Sequence, residues 1–300
     1  MKVAVTGSTG LVGAALVSAL RERGDEVVCL VRREARGDDE VAWSPEKGVL
    51  EPPKLEGVDA VIHLAGENIA AKRWSDQQKQ RIRDSRVVGT AKLVESLTGL
   101  VDRPKVFLSA SAIGFYGQSG SERVDEASGA GTGFLPEVCR AWEDASKPLA
   151  EAGTRVAHLR FGVILSPGGG ALAKMLLPFK LGLGGNVGSG AQGMSWISLR
   201  DAVGATLHVL DQDLSGPVNM VAPTACSNAD FTRSLGRALH RPTILPMPAF
   251  AARLAFGELA DDLLLASLWV EPKALLGSGY RFQDSEVEGA LSHLLGSKAA

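Results

Sequence analysis

Apolar residues along the first 160 positions fall into two alternating patterns. Short apolar runs at 2–6, 26–31, 59–64, 105–110 and 155–160 have the length and continuity of buried strands. Longer segments at 11–23, 75–97 and 134–152 read as helices, the first ended by Gly24. Ser75 with Gln78 three residues on gives the second helix a capping-box opening. Repeated strand–helix units imply right-handed crossovers and a parallel sheet covered on both faces. The expected fold class is therefore α/β, a Rossmann-type doubly wound parallel sheet.

The pattern changes after Arg160. Residues 118–133 already form a Gly/Ser-rich loop, and glycine-rich connectors at 167–170 and 181–190 flank a helix at 171–180. A short strand at 194–198, a helix at 199–210 and a strand at 217–221 follow. From 228 to 300 the chain reads as mostly helical, with breaks at Pro242, Pro246, Pro248 and Pro272. The expected organisation is a Rossmann domain at 1–165, to whose sheet 195–222 returns. A smaller, mostly helical lobe at 166–194 and 223–300 covers the C-terminal edge of the sheet, where open α/β sheets bind ligands. No internal repeat is visible.

Composition narrows the function classes. Three hundred residues, 45% of them apolar, support a large α/β domain with an appended lobe. A net charge of −2 provides no field towards nucleic acid or a membrane surface. Cys29, Cys139 and Cys226 are too few and scattered for a disulfide framework or a zinc site, so no metal is expected. The N-terminus lacks the basic and apolar regions of a signal peptide. No apolar run reaches the roughly 18 residues of a membrane span. The expectation is a cytoplasmic monomer or homodimer acting on a small molecule, with no nucleic-acid or membrane partner.

The most specific local signal is Gly7-Ser8-Thr9-Gly10-Leu11-Val12-Gly13, between the first strand and the first helix. Gly7 permits a tight turn, Gly10 lets backbone approach phosphate, and Gly13 lets the helix pack close to the strand. Free backbone N–H groups and the helix dipole then face a pyrophosphate. The second strand ends in Val31-Arg32-Arg33, where an NAD site carries an acid for the ribose 2′-hydroxyl. Two guanidiniums there suit a 2′-phosphate instead, so the expected cofactor is NADP(H). Leu64, Ala65 and Gly66 supply small residues where adenine and ribose pass, while His63 reads as a core residue.

Together these residues resemble the extended short-chain dehydrogenase/reductase superfamily. Further stretches narrow the resemblance to an atypical branch of epimerase-family (NAD-dependent epimerase/dehydratase-like) proteins with a C-terminal domain of unknown function. They include 64–69, Lys72-Arg73-Trp74, 82–86 before Gly89-Thr90, 176–185, 188–190 and Ser195-Trp196-Ile197. The tail at 271–275, 279–282 and 290–291 extends it, so that nearly the whole chain is covered. The resemblance implies further cofactor contacts at Arg86, Ser109, Ala110, Arg160 and Val163. It also implies Ser111 as the catalytic serine. In the superfamily a tyrosine, with a lysine four residues on, trades a proton while hydride moves. Here Leu135 and Cys139 fall at those two positions, and Arg86 replaces the usual asparagine.

Several residues are candidates for the missing acid. Tyr116 is the only aromatic hydroxyl near Ser111 in sequence, and it donates a proton, binds substrate or packs the adjoining loop. Cys139 is a thiol acid, a redox sensor or an inert core residue. Glu143, one turn later on the same helix, is a general base or a helix-surface salt bridge. Trp74, Trp142 and Trp196 line a pocket or fill the core. Lys72, Arg73 and Arg86 add positive charge if the intervening loop folds back, which extends to an anionic substrate. Two readings stand. One is an NADP(H)-dependent oxidoreductase or epimerase acting on a small polar, sugar-nucleotide-like substrate, with Ser111 orienting a carbonyl and Tyr116 or water supplying the proton. The other is an inactive NADP(H)-binding sensor or interaction module.

Overall fold

A computed structural model describes residues 1–296. Eight strands form the central sheet: β1 (Lys2–Thr6), β2 (Glu26–Val31), β3 (Glu40–Ser44), β4 (Gly48–Val49), β5 (Ala60–His63), β6 (Val106–Ala112), β7 (Arg155–Phe161) and β8 (Gly216–Met220). Their order is β8-β7-β6-β5-β1-β2-β3-β4. Neighbours from β6 through β3 run parallel, and β4 turns back antiparallel on β3. The chain therefore has the expected doubly wound α/β sheet. Val3, Ala4, Val5, Val61 and Ile62 are fully buried, as continuous apolar runs in a two-sided sheet require. The register aligns Leu30, Thr6, His63 and Ser109 across four strands. The ends of β2, β1 and β5 consequently lie within one residue of a common level, and β6 runs three residues further, to Ala112.

Three helices position the residues of interest: α1 (Leu11–Glu22), α2 (Asp76–Thr98) and α3 (Phe134–Asp144). Ser75 caps α2 by accepting the Gln78 N–H. Three local expectations need correction. The edge strands β3 and β4 were not expected: β3 buries only Val41 and Trp43, amid charged neighbours that mask the alternation. The helix expected over 134–152 stops at Asp144 and restarts as Lys147–Glu151. Pro148 explains the break, since within one continuous helix its ring would meet the carbonyl of Asp144. The strand expected at 194–198 is two short ones. Gly193–Met194 pairs with Cys226–Ser227, and Trp196–Ser198 pairs with Val163–Leu165.

The chain divides into two compact units. The first comprises Met1–Phe115, Pro136–Arg160 and Thr206–Val218. The second comprises Tyr116–Leu135, Phe161–Ala205 and the described residues from Asn219 onward. In the second unit, Trp196, Phe231, Leu235 and Leu291 share one core cluster, and buried Asp201 accepts the Tyr280 hydroxyl and the Gln283 and Asp284 N–H groups. The last described element is the helix Val287–Gly296; positions 297–300 of the expected helical tail lie outside the described residues. No helix among the described residues is long and apolar enough to cross a membrane.

A buried polar chain joins the strand exits of the first unit to its helices. Thr6 Oγ1 accepts the Leu64 and Ala65 N–H groups at 3.1 and 3.2 Å. Both lone pairs are then used, so its proton goes to His63 Nδ1, 2.7 Å away. His63 is therefore protonated on Nε2, which donates to Thr90 Oγ1 at 3.0 Å. Trp142 Nε1–H donates to the same oxygen at 2.9 Å. Trp43 meets His63 edge-on and Phe107 stacks on it.

Burial pushes His63 down to about 4 from its ordinary 6.5. Below pH 6.5 the unfolded chain takes up a proton that the folded chain refuses until about 4. This group's contribution to stability is thus complete above pH 6.5 and declines as pH falls towards 4. Chemical denaturation at pH 7 and pH 5 should show this interval costing a His63→Gln variant about 2 kcal/mol less than the parent.

Candidate functional site

Gly7 has φ +68°, and a Cβ there would lie 2.9 Å from the Leu64 carbonyl carbon. A Cβ on Gly13 would lie 2.1 Å from Gly7 O, so α1 rests directly on the turn. Gly10 donates its N–H to Gly7 O and precedes α1 without a side-chain cap. No acidic residue occupies the first turn. The N–H groups of Leu11, Val12 and Gly13 thus open a helix whose positive end has no side-chain acceptor. Ser8 and Thr9 occupy the half-buried to exposed bend. This donor set, with glycine backbone in place of side chains, fits a dinucleotide diphosphate.

At the exit of β2 the two arginines separate. Arg33 donates to both carboxylate oxygens of Glu40, at 2.6 and 2.7 Å, and holds that carboxyl down to about 2. Arg32, beyond Val31, is exposed and makes no side-chain hydrogen bond or ion pair among the described residues. The expectation of two available guanidiniums is corrected to one. Glu40 opens β3, the strand the sequence pattern concealed.

In the C-terminal half of β6, Ser109 and Ala110 are buried, with Ser109 Oγ bonded to Ala110 O. Ser111 follows, 3% exposed. Its hydroxyl donates to Glu143 Oε1 at 2.7 Å. Arg160 Nε and Nη2 donate to Glu143 Oε1 and Oε2, each at 2.8 Å, and Arg160 Cζ lies 3.4 Å from the Phe115 ring centroid. An ionised carboxylate only accepts, so the shared proton belongs to Ser111. Two corrections follow. Glu143 makes a buried ion pair, not a helix-surface one. Ser111, expected to orient a carbonyl, has committed its proton and presents lone pairs only. Arg160, expected on the cofactor, has two nitrogens engaged by Glu143.

Burial pushes the Cys139 thiol up to about 12, reinforced by the Glu143 charge. It stays a neutral core thiol at ordinary pH. Arg86, four residues before Thr90 on α2, is half-buried with Cζ 5.0 Å from the Trp142 ring centroid. A Cβ on Gly66 would lie 3.3 Å from that same Cζ. Leu64 and Ala65 are fixed through Thr6.

In the second unit, buried Tyr116 donates its hydroxyl to Asn219 Oδ1 at 2.7 Å, and Asn219 Nδ2 donates to Glu271 O. Val163 pairs with Trp196. The buried indoles of Trp142 and Trp196 donate to Thr90 Oγ1 and Thr224 O, while half-buried Trp74 donates to Ile69 O. The Glu143–Arg160 partnership escaped the sequence reading. Its one signal is Arg160 between Leu159 and Phe161 near the end of a largely buried strand, where a charge demands a buried acid.

The NAD dependent epimerase/dehydratase family matches residues 3–221, and a domain of unknown function, DUF1731, matches 247–294. An epimerase family protein of Mycobacterium bovis is 45% identical over 294 residues, covering 97% of this chain and 96% of that protein. The crystal structure of the human epimerase family protein SDR39U1 (isoform 2) with NADPH superposes with a TM-score of 0.91 at 33% identity, covering 99% of both chains. That of the nucleoside-diphosphate sugar epimerase from Corynebacterium glutamicum superposes with 0.82 at 37% identity, covering 99% of this chain and 58% of that one. With its glycine turn, uncapped first helix and parallel sheet all inside the matched region, the chain belongs to the NAD dependent epimerase/dehydratase family.

Proposed function

We propose that this protein binds NADP(H) in its first unit and uses it for hydride chemistry on a small polar substrate that presents a hydroxyl group. The observation that carries the reading is Ser111, a buried hydroxyl whose proton is committed to an arginine-held carboxylate. It stands near the C-terminal end of β6, two residues beyond Ser109, which is in register with His63 and, through it, with Thr6 before the glycine turn. The NADPH in the human relative's structure supports the choice of cofactor.

The Gly7–Gly13 turn and the first N–H groups of α1 receive the diphosphate, and Arg32 receives the 2′-phosphate. Val31 and the Leu64–Gly66 segment border the adenosine and ribose. When bound, the dinucleotide supplies or accepts the hydride. Ser111 Oγ accepts the hydrogen bond of the substrate hydroxyl and takes its proton as its own proton passes to Glu143. Arg160 holds the carboxylate at both oxygens throughout. In the opposite direction the proton returns by the same path. This relay does the work left vacant at Leu135 and Cys139, and Tyr116 is not required for it.

Calorimetric titration should show NADPH binding that Arg32→Ala weakens by about 1–3 kcal/mol, with NADH binding little changed. Arg33→Ala should weaken NADPH less, because Glu40 already occupies that guanidinium. Equal losses for NADPH and NADH would remove the 2′-phosphate assignment.

Absorbance of the reduced nicotinamide, followed against a panel of sugars, alcohols, aldehydes and quinones, tests the chemistry. Turnover should fall on the order of 10²–10⁴-fold in Ser111→Ala. Tight NADPH binding without turnover on any substrate would instead leave the cofactor as a fixed ligand of an interaction module.

A further inference from the structure

Among the described residues, Arg86 makes no ion pair. Its Nη1 donates to Ile82 O at 3.1 Å and lies 3.5 Å from Ser85 Oγ, both on its own helix. Nε and Nη2 make no hydrogen bond among the described residues, and no carboxylate comes within ion-pair distance of the guanidinium. The Glu67 carboxylate acts on Arg86 only at longer range, with Oε1 3.5 Å from Gln78 Nε2. Burial pulls Arg86 below the ordinary guanidinium value. The aromatic face of Trp142 and the thiol of Cys139 supply no counter-charge. Gly66 contributes by what it omits: a side chain there would sit against Cζ and both terminal nitrogens.

A half-buried charge left this way is unfavourable unless something completes it. The open edge, Nε with Nη2, is the two-pronged edge that receives two oxygens of a carboxylate or phosphate side-on. The cofactor's own phosphates have other receivers. The turn and α1 follow β1, and Arg32 follows β2, whereas Arg86 lies against Gly66 beyond β5, on the opposite side of β1 from β2. We propose that Arg86 is the receptor for an oxyanion on the substrate, held side-on by Nε and Nη2. The substrate class becomes a hydroxyl compound that also carries a carboxylate or phosphate. This rests on the NADP(H) reading, because the oxyanion enters beside the bound dinucleotide.

The test is calorimetric, on protein first saturated with NADPH and then titrated separately with malonate and with inorganic phosphate. At least one should bind, and which one binds identifies the group. Arg86→Met should weaken that binding at least tenfold more than it weakens NADPH. Arg86→Lys, which keeps the charge but not the two-pronged edge, should weaken it too. Without ligands, Arg86→Met should melt about 2 °C or more above the parent, since it removes an uncompensated charge. Absence of NADPH binding in the first titration would overturn the cofactor reading and this proposal with it. NADPH binding with neither oxyanion following would overturn this proposal alone. So would unaltered oxyanion binding in Arg86→Met, an equal loss of NADPH, or a lowered melting temperature.

Discussion

The buried chain from Thr6 through His63 and Thr90 to Trp142 is the constraint on which the first unit's site depends. Thr6 is the last residue before Gly7, and His63 the last before Leu64. Thr90 lies one turn beyond Arg86 on α2, and Trp142 adjoins Glu143 on α3. A single run of hydrogen bonds thus sets the phosphate turn, the β5 exit, the unpaired guanidinium and the carboxylate in one register. The directions from Thr6 through His63 to Thr90 follow from the two N–H groups that saturate Thr6 Oγ1. Such a network is costly when half-made and rigid when complete. A protonated His63 would turn Nδ1 into a donor facing a hydroxyl proton, so the arrangement holds only with the imidazole neutral.

The two arginines of the site illustrate opposite solutions to burial. Arg160 meets a carboxylate in bidentate geometry and is nearly sequestered, with a side chain 4% exposed. Its contribution is orientation: it keeps both oxygens of Glu143 in place, so that Ser111 always points its proton the same way. Arg86 has an aromatic neighbour and two contacts within its own helix. The first arrangement is complete without ligand and the second is not, which is the contrast expected between a positioning pair and a recognition group. Arg33 and Arg32 repeat the contrast on the surface at the exit of β2, where Glu40 claims the first and leaves the second.

How far the sequence disclosed this molecule depended on whether a residue's task was local. Gly7, Gly10 and Gly13 were readable because turn geometry and close approach act within a few residues. The strands β1, β2, β5 and β6 were readable because burial on both faces makes them continuous apolar runs. Ser75 announced α2 for the same local reason. What stayed hidden required partners distant in sequence. The claim of Glu40 on Arg33 depends on β3 lying beside β2, and β3 is only five residues long and follows a charged stretch, Asp38-Asp39-Glu40, that hides its pattern. Glu143 and Arg160 are brought together across a helix and a strand, and no spacing rule links them. Leu135 and Cys139 were legible at the superfamily's tyrosine and lysine positions, but nothing local marked Glu143, one turn beyond Cys139 on the same helix, as the partner of Ser111.

The direction of the Ser111 proton has consequences for what the site tolerates. A tyrosine assisted by lysine offers a proton to a carbonyl oxygen, and its surroundings are cationic. Ser111 offers lone pairs, and the Glu143–Arg160 pair bonded to it is neutral overall, so the proposed reading favours the alcohol of an alcohol–carbonyl couple. Without Arg86 such a site would have little electrostatic preference among hydroxyl compounds. Arg86 adds one positive charge in partly dehydrated surroundings, where its attraction for an anion is strengthened and its own solvation is already reduced. In the proposed reading, selectivity is divided between a hydrogen-bond direction fixed by α3 and β7 and a charge fixed by α2. Because Trp142 donates to Thr90, α3 and α2 are tied to one another, and the Ser111–Glu143 contact and the Arg86 guanidinium are held at a set spacing.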